Sequence, residues 1–281
     1  MEKRFKIPLV VSVILIVLVI FLQFGLPLIF GGGSIKGDMI PLIPGEGLID
    51  LIVSISIPFI FMFISLLIGP LMNLFFIFLH KIIRLNKYEY FKISYEKEMP
   101  GRTILLRAIF PGLLAVNIAI YLSLYGTFND LFHPSAGNIE ELPIVIEWIS
   151  IIIGAPIASI IVIPLWILDS SGLMCAKKID EYNRPVAPDI ESVGRFYKKL
   201  LKGFVGISTV VSYSLILFQY FTTTSDFSSI YIVFIDPIVI IFTFAPISLF
   251  IEMRAPDYNK RMDSYYEKLD IDTTPRTIKI E

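Results

Sequence analysis

Cysteine is almost missing from this chain. Cys175 stands alone, so no intramolecular disulfide can form. Histidine is equally scarce: His80 and His133 are too few for a histidine-rich metal site, and no cysteine–histidine ligand spacing occurs. Charge is thin as well, at 17% of residues, where a soluble domain carries roughly 25%. The chain also lacks H-E-x-x-H, G-x-S-x-G and P-loop patterns. An intramembrane aspartyl protease would need two carboxylates deep in neighbouring helices, and only one aspartate lies deep. These absences leave no reaction to name; they do not exclude an enzyme, but the reading leans away from one, with no cofactor or metal expected. No long basic run points to nucleic acid. No polar stretch exceeds about 35 residues, which leaves little room for a separate soluble domain.

Apolar residues are what the chain has in abundance. They make up 55% of it, with a mean hydropathy of +0.75. A 281-residue globule could not bury that much apolar surface, so a lipid bilayer is the expected partner. A spanning helix needs about 20 mainly apolar residues. Six stretches qualify, at roughly 7–30, 49–79, 104–127, 143–168, 203–224 and 229–252. The expected fold is therefore an all-α, polytopic integral membrane helix bundle, with a transmembrane domain over 1–252 and a C-terminal tail over 253–281. The first stretch follows Lys3, Arg4 and Lys6 and resembles a secretory signal in outline. Its apolar run is too long for a signal core, and Leu28-Ile29-Phe30 is no small-residue cleavage site, so it reads as an uncleaved span.

Orientation follows from the basic residues. Of the 24 lysines and arginines, all but Lys36 and Arg107 fall in four segments: the N-terminus, 81–102, 177–202 and 254–279. The opposite loops hold Asp38, Glu46, Asp130, Glu140, Glu141 and Asp226. The positive-inside rule puts both termini and the two long basic loops in the cytoplasm, for a protein of the cell membrane. The 31–48 connection, with Gly31-Gly32-Gly33, Pro41, Pro44 and Gly45, reads as a turn-rich external loop. Only a few residues around Ser225-Asp226 join the last two spans, which makes them antiparallel neighbours.

The cytoplasmic segments carry amphipathic patterns. Pro188-Asp189 precedes Ile190, Val193, Tyr197, Leu200 and Leu201, and Pro256-Asp257 precedes Tyr258, Met262, Tyr265, Tyr266 and Leu269. Each reads as an N-cap followed by a helix, over 189–202 and 257–269. Such basic, aromatic helices suit anionic lipid or a docked protein partner. The two copies of Ala-Pro-Asp, at 187–189 and 255–257, and Gly-Arg at 101–102 and 194–195 suggest a weak hairpin repeat. Proline-bearing juxtamembrane helices resemble one another in any case, and that plainer reading is preferred.

Polar groups inside the spans are the candidates for function, because a charge there costs about 2.5–3.5 kcal/mol even on the insertion scale. Asp236 lies about two turns into the sixth span, and Pro237 after it frees a backbone carbonyl one turn earlier. A carboxylate beside a free carbonyl suits a cation or a proton. Glu147 lies about one turn into the fourth span beside Trp148, an interfacial anchor. Ser150, Gly154 and Ala158 recur every four residues as a small-residue stripe for helix packing. Arg107 is expected to snorkel to the headgroups. Asp169 is expected at the water-exposed end of its span, Gly203 and Gly206 at a close contact or hinge, and Cys175 as a small buried residue. Together these support a small transport component, a permease or channel-like subunit with a cation or proton site near Asp236. A non-catalytic scaffold or assembly subunit is the alternative.

Overall fold

A computed structural model describes residues 3–20, 48–85, 87–93, 101–124, 146, 149–177, 190–223 and 228–276. The chain is mostly helical. In chain order the elements are α1 (Lys3–Ile20), α2 (Leu48–Ile83), β1 (Tyr88–Ile93), α3 (Gly101–Leu106), α4 (Ile109–Leu124), a π-helical turn (Ser150–Gly154), α5 (Ala155–Ser170), β2 (Leu173–Lys177), β3 (Ile190–Ser192), α6 (Val193–Thr223), α7 (Ser228–Lys268) and β4 (Asp272–Arg276). Among the described residues four helices are long and apolar enough to cross a membrane: Ser56–Ile83, Thr103–Ser123, Ser150–Ser170 and Val193–Phe218.

Burial on these helices is inverted relative to a soluble protein. Along α2, Phe63, Leu67, Leu71, Phe75, Phe78 and Ile82 are exposed at helical spacing, Leu67 at 78%. The opposite stripe of the same helix holds the buried Ser65, Asn73 and His80. On α6, Phe204, Ile207, Val211 and Phe218 are exposed while Ser208 and Ser212 are buried. Apolar side chains outward and hydroxyls inward are what a hydrocarbon solvent selects.

The chain packs as two compact units. The first comprises Met1–Met62, Pro100–Ser159 and Phe204–Phe250. Here Gly154 lies so near Ala115 on α4 that an added Cβ would collide with the Ala115 carbonyl. Ser150 and Ala158, on the same stripe, are fully buried, and Ser150 Oγ donates to the Ile146 carbonyl at 2.6 Å. Asn117 of α4 donates from Nδ2 to Thr209 Oγ1 at 3.0 Å and accepts from Ser212 Oγ at 2.9 Å, tying α4 to α6. Arg107 sits at the break between α3 and α4 and is 5% exposed, so it faces protein and does not snorkel as expected.

The second unit comprises Phe63–Met99, Ile160–Gly203 and Ile251–Glu281, and it departs from an all-α fold. Among the described residues four strands form one sheet in the order β3-β2-β1-β4. β1 runs antiparallel to β2 and parallel to β4, and β2 runs antiparallel to β3. Three of the strands begin directly after a long helix, and each helix stops at a left-handed residue: Leu85 (φ 51) after α2, Gly172 (φ 74) after α5 and Asp270 (φ 54) after α7. A side chain on Gly172 would also strike the Ile93 carbonyl of β1. The left-handed turn satisfies end carbonyls, as in Leu85 N to Ile82 O at 3.0 Å and Ile271 N to Tyr266 O at 3.0 Å, and sends the chain away as a strand.

Several local expectations change accordingly. Pro256-Asp257 starts no helix, because α7 runs unbroken to Lys268, and residues 272–276 of the tail form a sheet strand. Residues 190–192 are a strand, and Ser192 caps α6, its Oγ accepting from Arg195 N at 3.2 Å. Gly203 and Gly206 have no described atom within 4 Å of an added Cβ, so neither makes a close contact among the described residues. Asp169 pairs with Lys198 Nζ at 2.8 Å, and Gly194 packs against the Asp169 backbone. Gly154→Ala and Gly194→Ala should each destabilise by about 1–3 kcal/mol through overpacking. Gly203→Ala should be neutral or slightly stabilising. Thermal unfolding in detergent checks the contrast, and equal midpoints for the three variants would refute it.

Candidate functional site

Alternation along the strands decides which side chains meet. Tyr90, Cys175 and Glu191 are successive cross-strand partners, in register on β1, β2 and β3, so all three project from one face of the sheet. The opposite face carries Phe91, Met174 and Ala176, which form an apolar cluster with Ile93 and Ile190. The polar row meets the last turns of α2, where His80 and Arg84 are one turn apart on the same helical face.

His80 is completely buried at the centre of this cluster. Its Nδ1 lies 2.7 Å from the Tyr90 hydroxyl, and its Nε2 lies 4.0 Å from Cys175 Sγ. The rings of Tyr88, Tyr90, Phe196 and Tyr197 surround the imidazole edge-on, with centroids 5.0–6.5 Å away. Tyr197 in turn donates to the Phe76 carbonyl at 2.5 Å, which holds the start of α6 against α2. The Cys175 thiol donates to the Glu191 carbonyl at 3.4 Å. Arg84 Nη2 pairs with Glu191 Oε2 at 2.5 Å, and its guanidinium lies over the rings of Tyr88 and Phe196. Lys92, also on the polar face of β1, pairs with Asp263 of α7.

Electrostatics separates what this cluster can do from what it cannot. Burial pushes the Cys175 thiol up to about 12, with the Glu191 charge adding to the effect against Arg84 and the backbone hydrogen bond. Burial, and then the neighbouring Cys175, likewise hold the Tyr90 phenol protonated well above its usual range. A nucleophilic cysteine needs a depressed pKa and access to solvent. Cys175 has neither, being 0% exposed, so the cysteine–histidine pair is not a hydrolytic dyad. The imidazole, thiol and carboxylate do offer one metal-ligand atom each, and these atoms lie within 4.8 Å of one another.

Compared with protein-family models, curated proteins and solved structures, the chain matches none.

The residues expected to carry function fall elsewhere. Asp236 lies within α7 by its backbone, and its side chain is outside the described residues. Glu147 lies outside the described residues altogether. Ser150, Gly154 and Ala158 belong to the first unit, as described above. The His80 cluster escapes sequence inspection because its members come from positions as far apart as 80 and 191, with no common motif. The aromatic and β-branched residues of Tyr88-Glu89-Tyr90-Phe91-Lys92-Ile93 were the available signal for β1.

In the native protein, maleimide modification of Cys175 at pH 9 should be at least about a hundredfold slower than in denaturant, because little thiolate exists and no solvent reaches it. The native rate should keep climbing toward pH 12, whereas the unfolded rate levels off above about pH 9. Alkylation kinetics against pH check this, and coincident profiles would show an exposed, ordinary thiol.

Proposed function

We propose that the chain is a six-span protein of the cell membrane with both termini cytoplasmic, and that it works as a small transport component, a permease or channel-like subunit. The orientation rests on the basic residues, which leave only Lys36 among the external loops. The transport reading rests on one observation in the second unit. Asn73 on α2 is completely buried, and neither atom of its amide has a hydrogen-bond partner among the described residues. One turn earlier on the same face, Gly69 makes room for the hydroxyl of Tyr258 from α7, where a Cβ would collide. The Tyr258 hydroxyl and Asn259 Oδ1 are also buried without partners among the described residues.

An unsatisfied buried polar group costs about 1–3 kcal/mol, and more where lipid replaces water around the protein. A chain under selection for packing alone would replace such groups by apolar ones. Their concentration on α2 and α7 supports a polar seam that hydrates, or that a polar solute enters. On the transport reading Asp236, followed by Pro237 in the sequence, is the ionisable group for a cation or proton, with Glu147 as the second candidate. The scaffold alternative carries less weight, because the Gly154 face suited to a partner helix is occupied by Ala115 of the same chain. It keeps the basic surfaces over 189–202 and 257–269 as partner sites.

Two measurements test this. Asp236→Asn should abolish cation- or proton-coupled flux in reconstituted vesicles, and Asn73→Leu should reduce it; unchanged flux in Asp236→Asn would remove the site assignment. In a Cys175→Ser background, Lys36→Cys should label from outside the cell. Lys199→Cys and Lys260→Cys should label only after permeabilisation, and the reverse pattern would overturn the topology.

A further inference from the structure

We infer that His80, Cys175 and Glu191 form a binding site for a thiophilic divalent metal ion of the zinc or cobalt(II) class, held closed in the metal-free protein by Arg84. This site stands apart from the transport reading and does not depend on it.

The donor set comes first. An imidazole nitrogen, a thiolate and a carboxylate are the ligand types of zinc, and three protein ligands leave a fourth position for water or another ligand. Thiolate selects against calcium and magnesium, which take oxygen donors. The charges close as well: thiolate and carboxylate together neutralise a dication, which matters where His80 and Cys175 are fully buried. When the metal enters, the Cys175 Sγ–H bond breaks and its proton leaves to solvent.

Geometry comes next. Bonds of about 2.0–2.3 Å at tetrahedral angles put donor atoms about 3.3–3.7 Å apart. The His80 Nε2 to Cys175 Sγ separation is 4.0 Å, and all three donors lie within 4.8 Å of one another. Side-chain rotation of less than about 1.5 Å closes the set without moving the strands. Cys175 and Glu191 are already side by side by strand register. Tyr90 supplies the outer support that metal-bound histidines need: with Nε2 on the ion, the ring proton stands on Nδ1 and donates to the Tyr90 hydroxyl, now 2.7 Å away.

Arg84 is the competitor. It occupies the Glu191 carboxylate at 2.5 Å, so metal and guanidinium exclude each other there. Releasing Glu191 does not strand the arginine, because its side chain is 30% exposed and its guanidinium keeps the faces of Tyr88 and Phe196. The exchange would replace an ion pair between α2 and β3 with a clamp joining α2, β2 and β3.

Cobalt(II) titration of the purified full chain in detergent tests the inference, because Cys175 is the only thiol and any thiolate-to-cobalt charge-transfer band must come from it. The expected result is a saturable band at one cobalt per chain, displaced by zinc and absent in Cys175→Ser. Tyr90→Phe should weaken binding about tenfold. Arg84→Gln should tighten it by several-fold, a gain that a misfolded variant would not produce. No band in the unaltered chain overturns the site. So does a band whose affinity is unchanged in both His80→Gln and Glu191→Gln, or an affinity that Arg84→Gln fails to raise.

Discussion

The carbonyls at the C-terminal end of a helix need partners, and in this protein three helix ends share a left-handed turn, with the Ser170 and Ser171 hydroxyls donating to the end carbonyls before Gly172. Leu85, Gly172 and Asp270 each turn left-handed just past a long helix, and each turn launches a strand. The three strands are neighbours in one sheet, in the order β2-β1-β4. Leucine and aspartate in that conformation cost about 1–2 kcal/mol relative to glycine, so the strands that follow must hold them there. The sheet is thus a direct consequence of how the helices stop. It also provides a structural repeat of helix, left-handed turn and strand at the ends of α2, α5 and α7, a different unit from the hairpin suggested by Ala-Pro-Asp and Gly-Arg.

Strand register then builds the polar cluster. Because alternate residues share a face, placing Tyr90 opposite Cys175 and Cys175 opposite Glu191 sends all three side chains to one side and Phe91, Met174 and Ala176 to the other. A slip of one residue would exchange the two faces. The end of α2 supplies His80 and Arg84 to the polar side, and α6 supplies Phe196 and Tyr197 as its aromatic wall. The same tyrosine that flanks the histidine also donates to the carbonyl of Phe76, so packing, hydrogen bonding and the position of His80 share residues. In this site His80 and Cys175 are fully buried, and Arg84 and Glu191 are the members with access to solvent.

The helices obey a different constraint. Leu67 and Ile207 are among the most exposed apolar residues, while Asn73, Ser212 and Ser159 are among the most buried polar ones. Asn117 in the first unit pairs with Thr209 and Ser212. Ser159 of the first unit, and Asn73 and Tyr258 of the second, have no hydrogen-bond partner among the described residues. Polar groups of the first kind hold helices together, and those of the second kind keep bonding capacity that water or a solute could take up.

Sequence alone determined the class of this protein, because the apolar runs and the segregation of basic residues are local in the chain and act through bulk transfer and charge. It also marked the small-residue stripe at Ser150, Gly154 and Ala158, whose helical period is readable without a partner. Only the tertiary structure decided that the juxtamembrane segments form a sheet. Strands of three to six residues carry too little period to stand out beside long helices, and their pairing depends on where distant helices end. For the same reason the grouping of His80, Cys175 and Glu191 was invisible: a scarce cysteine and a scarce histidine, 95 residues apart, acquire joint chemistry only when strand register and a helix end place them within 4 Å.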